Sequence, residues 1–131
     1  MSDPAIATLV EDLIFRSKIE TTAKQLKIGV VTLNGGEPEI AGLVGKSALV
    51  ILDLNHKKVD AVAWLKAFKG NAATARVPVL GFLSHVQVDL KQRAVDARCD
   101  LVVPRSIFSA QLPELLARYT KIRLPEGAGQ S

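Results

Sequence analysis

Three carboxylates carry the most legible chemistry in this 131-residue sequence. Glu11 and Asp12 directly follow an apolar run at residues 5–10, and Asp53 closes a second run at 48–52, ahead of Leu54 and Asn55. Taken singly, acids at such places are ordinary solvated surface groups. Brought together, they repel one another and need a cation or raised pKa values to coexist. Carboxylate and carbonyl oxygens suit a hard ion such as Mg²⁺. An Asp beside such an ion can also act as a nucleophile toward a phosphoryl group. Everything then turns on whether the chain brings Glu11, Asp12 and Asp53 to one place.

The surrounding elements predict that it does. Five short runs rich in Val, Ile and Leu recur at 5–10, 28–33, 48–52, 79–83 and 101–103. They do not alternate with charged residues, which is the pattern of strands buried on both faces. Segments with helical spacing lie between them. Phe15, Ile19, Ala23 and Leu26 share one face of the first, and Ala61, Trp64, Leu65 and Phe68 share one face of another. Leu112, Leu115, Leu116 and Tyr119 do the same in the last, with Ser109 as its expected N-cap. A short helix is expected at 38–44 and a weakly patterned one at 89–98. Asn34-Gly35-Gly36, Gly70-Asn71 and Pro78 punctuate the chain as turns. Strict β-α alternation predicts one α/β domain, a doubly wound five-stranded parallel sheet with right-handed crossovers and helices on both faces. The domain is expected over residues 1–124, with 125–131 as a mobile tail. In the flavodoxin-like strand order 2-1-3-4-5, ligands bind at the carboxyl ends of strands one and three. Those ends carry Glu11-Asp12 and Asp53.

Composition narrows the field. A hydrophobic content of 48% suffices for one core and not for two. The formal charge of +4 is too small to imply nucleic acid, and 5% aromatic residues make a base-stacking platform a poor reading. A lone cysteine, Cys99, excludes an internal disulfide framework and fits a reducing compartment. Met1-Ser2-Asp3-Pro4 lacks the basic, apolar start of a signal peptide, and apolar runs such as 48–52 fall far short of a membrane span. A cytoplasmic location is expected. Cys99 and Trp64 read as packed core groups and His85 as a loop residue.

Val10-Glu11-Asp12, followed by Val50-Ile51-Leu52-Asp53-Leu54-Asn55, Val77-Pro78-Val79-Leu80 and residues 100–105, resembles the receiver domain of two-component response regulators over residues 5–120. The resemblance implies a phosphorelay signalling domain and not an enzyme. It makes Asp53 the phosphoacceptor and Glu11, Asp12, Asp53 and the backbone carbonyl of Asn55 ligands of a weakly held Mg²⁺. It also implies a histidine kinase or phosphotransfer protein upstream, and a protein target at the face built from the 89–98 segment, the fifth strand and the last helix. Lys91, Arg93, Arg98, Arg118, Lys121 and Arg123 lie around that face and would favour an acidic partner.

The departures from the family pattern bear on function. Leu83 stands where receivers carry a Thr or Ser whose hydroxyl bonds the phosphoryl group, and Ser84, one position on, is expected to point to the opposite face. Val102 occupies the place of the switch Tyr or Phe. Arg105 replaces Lys, keeping the charge in a longer, planar group able to bind phosphate bidentately. Ser106 replaces a proline, and His56-Lys57-Lys58 replaces Met-Pro-Gly. Two versions stay open: a domain phosphorylated on Asp53 with an altered switch, and a pseudo-receiver that binds protein without phosphorylation. A flavodoxin-like small-ligand domain is a more remote reading, since Glu11-Asp12-Leu13-Ile14 offers acids and no glycine to a phosphate. A nucleic-acid binder is equally remote.

Overall fold

The computed structural model describes residues 5–35, 47–84 and 87–121. The expected helix at 38–44, Gly36, His85, Arg123 and the tail at 125–131 lie outside them. Five strands, β1 (Ala5–Leu9), β2 (Gly29–Thr32), β3 (Leu49–Asp53), β4 (Val79–Leu83) and β5 (Leu101–Pro104), form a wholly parallel sheet in the order β2-β1-β3-β4-β5. The described helices are α1 (Leu13–Gln25), α2 (Ala61–Gly70), α3 (Val88–Asp96), α4 (Arg105–Ala110) and α5 (Leu112–Thr120).

Side-chain alternation divides the interior into two cores. In β3, Leu49 and Ile51 face α1, α4 and α5 with Ile6, Leu80 and Phe82, whereas Val50 and Leu52 face α2 and α3 with Ala7, Leu9 and Leu83. The three central strands are buried almost throughout, as their uninterrupted apolar runs require. Strands β2 and β5 are half-buried, because each lies at a sheet edge with a neighbour on one side only. The helical stripes pack as their spacing predicts. Ile19 and Ala23 of α1, Trp64, Leu65 and Phe68 of α2, and Leu112, Leu115 and Leu116 of α5 are all buried. Only Ala94 is buried in α3, in keeping with its weak pattern.

One local expectation is corrected. Ser109 does not cap the last helix but lies inside α4, where its Oγ accepts a hydrogen bond from Lys18 Nζ. The extended Pro104 passes straight into a helix at Arg105, and the break comes at Gln111, with Pro113 in the first turn of α5. Proline lacks the N–H that would continue a helix from below, so it is tolerated there and not deeper.

Glycine matters at two places. Gly35 has φ +93°, and an added Cβ would come within 2.8 Å of Val59. Gly81, in the middle of β4, leaves room for the side chains that close over it, since a Cβ would sit 3.0 Å from Leu54 Cδ1 and 3.1 Å from Cys99 Sγ. The Cys99 thiol is buried, and burial pushes its pKa up to about 11.

The rim at the amino ends of β4 and β5 is tied by a charged network. The buried Lys69 Nζ donates to Asp100 Oδ2 (2.7 Å) and to the Val77 carbonyl (2.9 Å), and Asp100 Oδ2 also accepts the Val79 N–H (2.7 Å). No helix among the described residues is long and apolar enough to cross a membrane.

Helix α1 starts at Leu13 because Asp12, extended at φ −67°, ψ 116°, caps it. Its Oδ1 accepts the N–H groups of Ile14 (2.9 Å) and Phe15 (3.2 Å). The Phe15 hydrogen bond lowers the Asp12 pKa most, helped by Ile14 and Arg105 and opposed by desolvation. A lowered folded-state pKa adds stability above the ordinary carboxylate pKa, and that stability is lost as pH falls through the folded value. Asp12→Ala should therefore destabilise the protein at pH 7 by about 1 kcal/mol, the usual value of an N-cap. Denaturant melts should show the gap between wild type and variant closing as the pH is taken below the ordinary Asp range. A gap of equal size at low pH would mean that the charge of Asp12 is irrelevant.

Candidate functional site

The rim at the carboxyl ends of the strands holds an open cleft of about 690 Å³. Glu11, Asp12, Asp53, Asn55, Lys57, Ser84 and Arg105 line it. All five residues singled out from sequence for this rim, Glu11, Asp12, Asp53, Asn55 and Arg105, are thus in one place. The path from sequence is short: β1 ends just before Glu11-Asp12, β3 ends in Asp53, and β5 runs into α4 at Arg105.

Asp53 is the floor. It is 2% exposed and sits opposite Phe82 in the β3–β4 register. Its Oδ1 accepts the Asn55 N–H at 2.9 Å, and its Oδ2 accepts a longer hydrogen bond of 3.4 Å from the Glu11 N–H. Backbone amides therefore hold both oxygens, the arrangement that orients a carboxylate toward incoming chemistry from the open side.

Asp12 is fully engaged. While Oδ1 caps α1, Oδ2 lies 2.5 Å from Arg105 Nη2. The Arg105 guanidinium stacks over the Phe15 ring, 4.5 Å from its centroid, with Phe82 at 5.7 Å. Phe15, Phe82 and Phe108 pack on one another, with Phe82 and Phe108 stacked at 4.6 Å. A planar cation on an aromatic face gains both charge attraction and contact area. Glu11 turns aside, its Oε1 accepting the Lys57 N–H at 3.0 Å.

Asn55 organises the neighbouring wall. Its Nδ2 donates to Gln87 Oε1 (2.6 Å), and its Oδ1 accepts the Ser84 N–H (2.9 Å). Ser84 Oγ is 3.4 Å from the same oxygen. The expectation that Ser84 points away is overturned for a simple reason. Strand β4 ends at Leu83, so alternation no longer governs Ser84, which lines the cleft. Leu83 itself is buried in the α2/α3 core with Val102 packed against that core, and both border an apolar groove of about 160 Å³ beside α3.

Lys57, Gln87, Phe15 and Phe82 escaped the sequence reading of the site. A signal existed for Phe82, because alternation from Leu80 places it on the same face as Asp53. Phe15 was legible only as core, and the Lys57 and Gln87 contacts depend on loop paths that periodicity does not describe.

The oxygen donors have the chemistry a divalent ion prefers. Their arrangement does not fit one. Both oxygens of Asp12 are committed and Glu11 faces Lys57, which leaves Asp53 as the one carboxylate with lone pairs toward the cleft. Among the described residues no three His, Cys, Asp or Glu side chains are placed to hold a metal ion.

No family model matches the chain, and no curated protein matches it. Solved structures do. A phosphorylated cyanobacterial phytochrome response regulator, RcpA, superposes with a TM-score of 0.78 at 18% identity, over 95% of this chain and 100% of that one. The receiver domain of the Pseudomonas aeruginosa sensor histidine kinase PA1611, solved with magnesium coordinated in its active-site cleft, gives 0.74 at 13% identity over 92% and 99%. A response regulator receiver domain from Rhodospirillum rubrum gives 0.71 at 21% identity over 93% and 97%. Together with the sheet order and the acidic cleft, these likenesses give the chain the fold of a response-regulator receiver domain.

Proposed function

We propose that this chain is a receiver-type signalling domain that accepts a phosphoryl group on Asp53 and acts by contact with other proteins. The observation that carries this reading is the Asp53 carboxylate, held by backbone amides at the end of the central strand and facing the cleft. In the transfer, an Asp53 oxygen forms a bond to phosphorus as the bond from phosphorus to the donor's leaving group breaks. Such a step needs little covalent help from the protein and much positioning and charge neutralisation. Arg105 and Lys57 supply positive charge at the cleft. A histidine kinase or phosphotransfer protein is the upstream partner that fits this chemistry, and the face formed by α3, β5, α4 and α5 is the candidate output surface.

A second reading, a protein-binding module that needs no phosphorylation, has its own support. Leu83 and Val102 place two apolar side chains where receivers of the usual pattern carry a hydroxyl and an aromatic, so nothing there can follow a phosphoryl group.

Intact-mass measurement after incubation with acetyl phosphate, with and without Mg²⁺, separates the two. One phosphoryl group should add to wild type and none to Asp53→Asn. An unmodified wild type under both conditions leaves the binding module as the function.

The same residues predict a muted response. A modification shifts a conformational equilibrium only through contacts that differ between its two states. Backbone chemical shifts recorded on phosphorylation should therefore change around Asp53, Asn55, Ser84 and Arg105 and stay small across α3 and α5. Large shifts through those distant elements would show a working switch built from other residues.

A further inference from the structure

The acids of the cleft already have a cation, and it is part of the chain. We propose that the Arg105 guanidinium is the resident cation of this site and excludes a divalent metal ion from the Asp12 position. The proposal concerns the cleft described above but does not require Asp53 to be modified, and its test uses metal alone.

Three observations carry it. Arg105 Nη2 is 2.5 Å from Asp12 Oδ2, while Asp12 Oδ1 is held by the Ile14 and Phe15 amides. An entering ion would have to break the ion pair or uncap α1. Second, Arg105 is not a freely swinging surface cation. Its guanidinium lies on Phe15 at 4.5 Å with Phe82 behind, and its side chain is 29% exposed. Displacing it would leave a half-buried positive charge beside a dication, where both are poorly screened. Third, the remaining donors cannot compensate. Asp53 is the one carboxylate with lone pairs left toward the cleft, and Glu11 points to Lys57. Mg²⁺ demands near-octahedral oxygen geometry and gives up its water reluctantly, whereas a guanidinium is weakly hydrated and needs only one face and one carboxylate.

The sequence alone suggested the reverse, because Arg105 was legible there as a partner for phosphate or for Asp53, and not for Asp12. What periodicity could not show is that Phe15 and Phe82 provide a bed on which the longer, planar side chain reaches back to Asp12.

The test is a titration of Mn²⁺, followed by the loss of its free-ion electron paramagnetic resonance signal, against wild type and Arg105→Gln at constant ionic strength. Wild type should stay unsaturated at metal concentrations on the order of 10⁻³ M, where exposed oxygen sites begin to fill. Removing one positive charge next to the carboxylates should tighten binding on the order of tenfold. Circular dichroism checks that the variant is folded. If Arg105→Gln unfolds, the Arg105 guanidinium N–H resonances of wild type decide, and they should not move during a Mg²⁺ titration. Saturation of wild type below that range overturns the proposal. So does a folded variant that binds no more tightly than wild type, or displacement of the guanidinium resonances by Mg²⁺.

Discussion

A single carboxylate, that of Asp12, ties together parts of the chain that are far apart in sequence. One oxygen caps the start of α1, and the other fixes Arg105, the first residue of α4. Because the two tasks use different oxygens, neither competes with the other while the group is ionised. The charge of Arg105 also helps to keep it ionised, so the geometry of the helix start and the charge balance of the cleft rest on the same proton equilibrium.

The sheet makes this possible by separating stability from chemistry. Alternation in β1, β3 and β4 sends apolar side chains to two cores, one under α1, α4 and α5 and the other under α2 and α3. The cores reach just past the strand ends, where Val10, Leu33 and Leu54 are still buried, and the cleft residues Glu11, Asn55 and Ser84 follow at the edge of that packing. The opposite rim is closed by Lys69 and Asp100, whose hydrogen bonds to the Val77 carbonyl and the Val79 amide pin the entry to β4. Changes at the cleft are thus made on a frame held from the other side.

How far the sequence foretold this varies with the kind of signal. The parallel sheet and its order were legible because uninterrupted Val, Ile and Leu runs admit few arrangements once helices alternate with them. The meeting of Glu11, Asp12, Asp53 and Arg105 followed from where those runs end. The hydrogen bonds inside the cleft were not legible, since they depend on which oxygen of Asp12 faces which partner and on the loop at 54–59. Ser84 shows the limit most sharply. A rule that holds inside a strand was carried one residue past its end, where the chain turns toward Asn55. Ser109 shows another, because a hydroxyl ahead of an apolar stripe reads as a cap even when an earlier helix already encloses it.

Cys99 gives the molecule a built-in clock. Its thiol is buried against Gly81, and burial pushes its pKa up to about 11, so the reactive thiolate is scarce at neutral pH. A thiol reagent reaches it fully only when the packing of the α2 and α3 core around it opens. The rate at which that one sulfur reacts thus reports openings of the packing around the amino end of β5, with no cysteine introduced and no residue of the cleft disturbed.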